Sequence, residues 1–144
     1  MKNIKLKHLT SIIFVIIIGS LIWWNTPCSI TNIAPSEVSE IGIFNGNTGK
    51  SISITDATDI EHIIKNLNTI FLKREKISLG YMGYTYKTTI YKINGDVYKE
   101  FIINSNDFIR KDPFFYRVSS GIIDYEFINE IMLNSERDEK DYDQ

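Results

Sequence analysis

The chain is poor in the residues that stabilise small domains through covalent or metal cross-links. One cysteine among 144 residues excludes an internal disulfide and is too few for a structural zinc site. The formal net charge of -2 gives no basic field of the kind that attracts nucleic acid. We therefore expect no metal, no cofactor and no nucleic-acid partner.

The composition is that of one globular domain with an apolar segment set apart. Hydrophobic residues make up 43% of the chain and charged residues 24%, which excludes general disorder. The length leaves room for one domain and not for two. Part of the apolar total lies in residues 9–24, so the rest of the chain is more polar than these fractions suggest.

The N-terminal end predicts a membrane anchor. Residues 1–8, the expected cytoplasmic segment, carry three lysines and a histidine but no acid, and residues 9–25 form the predicted transmembrane signal anchor. A helix of the sixteen residues 9–24 would be about 24 Å long. This is short for a hydrocarbon core of roughly 30 Å, unless the basic residues before it extend to the interface. Trp23 and Trp24 suit the opposite interface, and the lipid bilayer is the expected partner of this segment.

Three fates of this segment stay open: an uncleaved anchor, a cleaved signal peptide and an atypical lipoprotein. The uncleaved anchor is favoured because the nearest alanine, Ala34, has Asn32 at position -3 and Pro35 after it. Cys28 follows Asn-Thr-Pro, whereas a lipobox has an apolar residue at -3 and a small residue at -1. We interpret Cys28 as a free thiol without a role.

The distribution of charge predicts the orientation. Three lysines precede the apolar run, whereas residues 29–144 hold 13 basic and 18 acidic side chains. The positive-inside rule then places the N-terminus in the cytoplasm and the C-terminal domain outside the cell, in a single-pass protein of the cell membrane. A Gram-positive cell surface fits this arrangement.

The rest of the chain is predicted to contain a linker, a domain and a tail. Residues 26–37 mix prolines with small polar residues and are interpreted as a linker. Residues 38–134 form the extracytoplasmic domain, and residues 135–144 form an acidic disordered tail.

The fold class predicted for the domain is α+β, an antiparallel β-sheet of order β-β-α-β-β-β-α with helices packed on one face. Alternating Ser and Ile at residues 51–54 and the Asn94-Gly95 pair predict two hairpins. One more short strand is considered near Ile77 or Phe108. The basic residues 73–76 are interpreted as a bend.

Two helices are predicted from caps and apolar spacing. Thr58 to Glu61 matches a capping box, and Asp124 can cap the last helix. The first helix has an apolar face that comprises Ile60, Ile63, Ile64, Leu67, Ile70 and Phe71.

Aromatic and basic residues alternate on two of the predicted strands and give the first candidate binding surface. Such a sheet face is typical of surfaces that bind glycans or single-stranded nucleic acid. The alternative is structural, since tyrosine is a good strand former and stabilises cross-strand pairs. The candidate ligand-binding residues are Tyr84, Tyr86, Tyr91 and Tyr98.

Two arginines give the second candidate surface. Arg110 and Arg117 flank the aromatic residues 114–116 and could clamp an anionic or peptide partner. The alternative is a β-turn at Asp112-Pro113 followed by a strand.

No catalytic residue is predicted. His62 is the only histidine of the domain and is expected on the surface, since a zinc site or a catalytic triad would need further partners. Residues 49–51 read Gly-Lys-Ser but lack the first glycine of a phosphate-binding loop, so a turn is favoured. Helix capping explains Asp56 and Asp59 better than a cation site does.

Residues 43–50, 80–84 and 101–105 make the domain similar to small, uncharacterised, membrane-anchored extracytoplasmic domain proteins of clostridia and other low-GC Gram-positive bacteria. That resemblance implies a location and a fold class but no activity. The predicted function is a membrane-anchored binding or regulatory module, without catalysis, whose partner is an envelope protein, a peptide or a glycan. Alternatives are an immunity or inhibitor-like protein that blocks another protein, and a hydrolase of the cell envelope. The sequence leaves the oligomeric state open.

Overall fold

The computed structural model describes residues 2–142, and their side chains between residues 8 and 135. A single antiparallel sheet holds eight strands in the order β1-β4-β8-β7-β6-β5-β2-β3. The predicted α+β class with an antiparallel sheet is therefore confirmed. In chain order, the helices and strands of the described residues are α1 Lys2–Asn25, β1 Cys28–Ser29, β2 Val38–Asn45, β3 Ser51–Ile54, α2 Ala57–Asn68, β4 Phe71–Ile77, β5 Tyr86–Lys92, β6 Val97–Ile103, β7 Phe108–Lys111, β8 Phe114–Ser120 and α3 Tyr125–Tyr142.

Both predicted hairpins are present. In the β5–β6 turn, Gly95 adopts φ 85°, a left-handed value that a side chain disfavours, and its N–H donates to the carbonyl of Lys92 at 2.8 Å. In the β2–β3 turn, Gly49 adopts φ 74° and donates to the carbonyl of Asn45 at 2.8 Å. The glycines of the two turns were sufficient to predict the hairpins, because each turn needs positive φ at one defined residue.

Helix α2 begins two residues earlier than the capping box suggests. Its N-cap is Asp56, whose Oδ1 accepts hydrogen bonds from the N–H groups of Thr58 at 2.9 Å and Asp59 at 3.1 Å. The predicted cap at Thr58 is therefore wrong by two residues. The buried face of the helix consists of Ile60, Ile63, Ile64 and Leu67.

The structure has three strands more than the predicted order, and one of them, β7, begins at Phe108, one of the two positions considered for a further short strand. Strand β4 occupies residues 71–77, where the sequence predicts the end of a helix and a basic bend. The cause is tertiary: Leu72 and Arg74 point to the covered face of the sheet, and β8 pairs along the strand. The short strands β1 and β7 also exist only as partners of neighbouring strands.

The segment predicted as a linker is packed on the sheet. Cys28 and Ser29 pair with β4, and the side chains of Ile30 and Ile33 are each only 4% exposed. Thr31 donates a hydrogen bond to Asn68 Oδ1 at 2.7 Å, at the end of α2. The two isoleucines stabilise this packing, which the prolines and polar residues around them conceal in the sequence.

Helix α3 runs on through residues 135–142, where the sequence predicts a disordered tail. Glutamate, lysine and arginine are good helix formers, so a packed helix can extend into such a sequence. Residues 143–144 lie outside the described residues.

One face of the sheet, called the inner face here, carries the core. Alternate residues of β2, β5 and β6 are buried in one cluster with the apolar sides of α2 and α3. The predicted packing of these two helices on one face follows from this cluster. Its fully buried isoleucines include Ile41, Ile43, Ile90 and Ile103.

The loop between β4 and β5, residues 78–85, lies against the opposite, outer face. Arg110 holds Asp112 with two hydrogen bonds of 2.9 and 3.0 Å and donates a third, at 3.4 Å, to the carbonyl of Gly83. The hydroxyl of Ser78 also donates to Asp112 at 2.5 Å. The ring of Tyr81 packs edge-on against Phe115, with 5.0 Å between centroids.

Replacement of Tyr86 should destabilise the protein more than replacement of a tyrosine on the outer face. Tyr86 is 3% exposed, and its hydroxyl donates to Asn129 Oδ1 of α3 at 2.5 Å. We expect Tyr86→Ala to lower the free energy of unfolding by about 3–5 kcal/mol, and Tyr86→Phe by about 1 kcal/mol. Thermal or urea unfolding of the full chain in detergent micelles measures both. Tyr91→Ala, on the same strand but the outer face, is the control, and equal losses at the two positions would contradict this assignment.

The Arg110–Asp112 pair should make stability depend on pH. The hydrogen bond from Arg110 and then that from Ser78 lower the pKa of Asp112 from 3.8 to about 2. A lowered pKa in the folded state means that the contribution is complete above pH 4 and is lost as pH falls towards 2. Asp112→Asn should thus destabilise the protein at pH 7, and its difference from wild type should shrink between pH 4 and pH 2. In an Arg110→Gln background the same substitution should change little, and a pH-independent difference would refute the role of the pair.

Candidate functional site

The four candidate tyrosines do not share one face. Tyr84 and Tyr91 lie on the outer face, along an open groove that Lys87 and Glu100 also line. Tyr84 packs 5.9 Å from the ring of Phe44, and Lys87 Nζ lies 3.0 Å from Glu100 Oε2. The structure therefore brings two of the four candidate tyrosines together with a lysine on the outer face.

Tyr86 and Tyr98 are oriented away from this groove. Residues 86 and 91 are five apart on one strand, so their side chains point to opposite faces, and Tyr86 is in the core. Tyr98 occupies a bulge in the β5–β6 ladder, and its hydroxyl accepts the N–H of Asn32 at 3.1 Å. Both side chains stabilise the fold.

The two candidate arginines are already paired with carboxylates. Arg110 is bound to Asp112, as described above. Arg117 donates to Glu75 at 2.7 and 3.0 Å and to Asp107 at 2.7 Å, and these partners raise its pKa. An anionic ligand would have to displace these carboxylates, so the arginines act as cross-links between neighbouring strands and turns.

His62 joins the two helices that cover the core. Its Nε2 lies 2.9 Å from Asp124 Oδ2, and its ring lies 4.1 Å from that of Phe127. Asp124 Oδ1 accepts the N–H of Phe127 at 3.2 Å and so caps α3, as the sequence predicts. The hydrogen bond to His62 lowers the pKa of Asp124. Among the residues whose side chains are described, no group of three or more His, Cys, Asp or Glu could hold a metal ion.

A cavity of about 240 Å³ lies at the inner face, between the segment after α1 and four strands of the sheet. Three of its ten lining residues are cationic, and none is a carboxylate. In the part of the chain with described side chains, no carboxylate forms an ion pair with these three cations. The lining residues are Cys28, Ser29, Ile30, Leu72, Arg74, Lys99, Phe101, Ile109, Lys111 and Tyr116.

Arg74 lies between this cavity and the end of α1. Its Nη1 donates to the carbonyl of Trp23 at 2.7 Å, and its Cζ lies 3.9 Å from the centre of the Trp23 ring. Its Nε is buried and has no hydrogen-bond partner in the protein. A buried donor without an acceptor costs about 1–3 kcal/mol, so this atom favours an acceptor from outside the chain.

The other polar groups of the cavity also favour an anion. Burial is the main cause that lowers the pKa of Lys99, and the positive charge of Lys111 adds to it. The ammonium of Lys99 donates to the carbonyl of Ile30. Burial raises the pKa of Tyr116, and the charge of Arg74 with its hydrogen bond to the Tyr116 side chain opposes this shift. A negative group here would relieve the repulsion between the lysines.

Sequence reasoning missed this cavity, although one signal for it was present. Lys99 has the same alternation as Phe101 and Ile103, which are core residues, so it belongs on the buried face. Arg74 lies two residues after the buried Leu72, so it points to the same face of its strand. These local patterns do not indicate which strands are adjacent in the sheet, and the cavity depends on the adjacency of β4, β8, β7 and β6.

No family model, no curated protein and no solved structure matches the chain. The resemblance to small extracytoplasmic domains of low-GC Gram-positive bacteria stays a prediction. The contacts of the cavity are thus the basis of the function proposed below.

Proposed function

We propose that this protein is a membrane-anchored, extracytoplasmic module that binds an anionic group in the cavity at the inner face, without catalysis. The observation that carries the proposal is a cavity lined by three cations and no carboxylate, in which one cation, Arg74, has a buried Nε without a hydrogen-bond partner in the protein. Charge-assisted hydrogen bonds to such groups are among the strong polar interactions of proteins.

Phosphate and carboxylate are the chemical groups that fit this cavity. A guanidinium suits planar or tetrahedral oxyanions, and ammonium and phenol groups supply further donors. Arg74 also contacts Trp23 near the end of α1, so the cavity lies beside the expected membrane surface. A lipid headgroup and a soluble phosphate compound therefore present the same chemistry to it.

The anchor is supported by α1. Residues His8–Asn25 form a helix that is long and apolar enough to cross a membrane, and none of this window is buried inside the protein. Its exposed side chains would be unfavourable in water. Trp23 and Trp24 both pack edge-on against Phe114, at 5.8 and 5.6 Å, so the helix ends directly on the domain.

A protein partner is the second candidate, and the outer face would bind it. Tyr84 and Tyr91 line an open groove there, with Lys87 and Glu100 between them. Binding or inhibition of an envelope protein or peptide would use this groove. The predicted immunity or inhibitor-like function belongs to this surface and does not need the cavity.

Anion binding can be measured on the full chain in detergent micelles, in a phosphate-free buffer. We expect calorimetric titration with inorganic phosphate, or with glycerophosphoglycerol as a lipid headgroup without acyl chains, to give saturable binding. Each lost charge-assisted hydrogen bond is worth about 1.5–3 kcal/mol, which is about tenfold or more in affinity. Arg74→Gln, Lys99→Gln and Lys111→Gln should each weaken binding by this factor.

Lys87→Gln is the matched control, because it removes a lysine from the outer face of the neighbouring strand. It should leave the affinity unchanged. Lys111 is exposed, so its replacement tests the cavity without disturbing the core. Tighter binding of glycerophosphoglycerol than of phosphate would identify a lipid as the natural source of the anion. Absence of binding to both probes, or an equal loss in Lys87→Gln, would refute the proposed site.

The orientation can be tested in a Gram-positive host. With a tag after Gln144, protease added to intact protoplasts should remove the tag while the protein stays in the membrane fraction. This follows from the three lysines that precede the apolar helix. A protected tag would place the domain in the cytoplasm, and a protein released from the membrane fraction would show a cleaved signal peptide.

A further inference from the structure

The last residue of β4 and the first part of the β4–β5 loop expose several apolar side chains. In residues 77–82, Leu79 is 71% exposed and Met82 is 88% exposed, and half or more of Ile77 and Tyr81 is also exposed. Exposed apolar patches of this kind are typical of sites that contact another protein or a membrane.

This loop starts at the end of the sheet where α1 joins it. Ile77 pairs with Phe114 in the β4–β8 ladder, and Phe114 packs against both tryptophans at the end of α1. The N–H of Ser78 donates to the carbonyl of Pro113 at 2.8 Å. The apolar loop and the anchor helix thus meet the same end of the sheet, the helix at Phe114 and the loop after its paired residue Ile77.

The loop is held in a defined conformation. Asp112 and Arg110 bind its Ser78 and Gly83, and Tyr81 packs on Phe115. Its polar groups are thus tied to the sheet, while Leu79 and Met82 point outward. Solvent exposure of these two side chains is a property of the folded domain and cannot be relieved by local collapse onto the core.

We propose that residues 77–82 insert into the outer interface of the bilayer beside α1 and form a second membrane contact. The proposal rests on the membrane anchoring proposed above. Lys76 supports a lipid surface as the occupant, because its Nζ lies 4.9 Å from the ring of Tyr81, which pairs a cation with an amphipathic ring at the expected headgroup level. One helix alone would leave the domain free to rotate about the helix axis, and the loop fixes this rotation.

The depth of the loop can be measured with an environment-sensitive dye. In a Cys28→Ser background, Met82→Cys is labelled with NBD and the full chain is reconstituted into vesicles of phosphatidylglycerol and phosphatidylcholine. Ile122→Cys is the matched control, because Ile122 is 72% exposed and follows the opposite end of β8. Both positions are solvent-exposed, so labelling leaves the fold intact.

We expect the dye at position 82 to shift to the blue, to be quenched by nitroxide lipids and to be shielded from aqueous iodide. The dye at position 122 should show the reverse. If both dyes respond as in water while the protein floats with the vesicles, the loop contact is refuted and the anchor stands. If the protein does not float with the vesicles, the anchor itself fails, and the loop contact with it.

A second copy of the chain is the other possible occupant, and it would give a different result. The dye at position 82 would then be shielded from iodide in micelles as well, with self-quenching that grows with protein concentration and no quenching by nitroxide lipids. That outcome would overturn the proposed lipid contact.

Discussion

The burial of the segment after α1 is the packing interaction on which the other features depend. Ile30 and Ile33 anchor this segment on the inner face of the sheet, and Thr31 ties it to the end of α2. The segment forms one wall of the cavity, because the carbonyl of Ile30 accepts the ammonium of Lys99. It also brings the last turn of α1 against β4. A free tether would have produced neither the cavity nor a fixed junction between helix and domain.

The charges at this junction are unfavourable for the isolated domain. Partial burial of Lys99 and full burial of an unpartnered Arg74 Nε both oppose folding, and neither residue forms an ion pair with a carboxylate among the described side chains. By contrast, Arg110 and Arg117 each form ion pairs with carboxylates. Among the arginines whose side chains are described, Arg74 alone lacks a carboxylate partner, and this contrast supports the proposed anion site.

Local patterns predicted those parts of the fold that neighbouring residues determine. The buried face of α2, the cap at Asp124 and the turn at Asn94-Gly95 depend on spacing and backbone conformation within a few residues. Strands β1, β4 and β7 depend on pairing across the sheet, and their residues carry weak signals of their own. The cavity depends on such pairing most of all, because its lining extends from residue 28 to residue 116. Residue type alone does not separate the candidate tyrosines, because strand parity puts Tyr86 in the core and Tyr91 on the outer face.

The position of α1 at one edge of the sheet also affects where a strand of another chain could pair with this domain. Edge strands offer unpaired backbone groups and so promote aggregation between copies. Strand β1 pairs with only two residues of β4, and the last turn of α1 contacts Arg74 of the same strand, so the anchor stands at this edge of the sheet. The other edge, β3, has four residues and alternates serine with isoleucine. Strand addition at β3, on the side of the sheet away from the anchor, is thereby limited to a short edge.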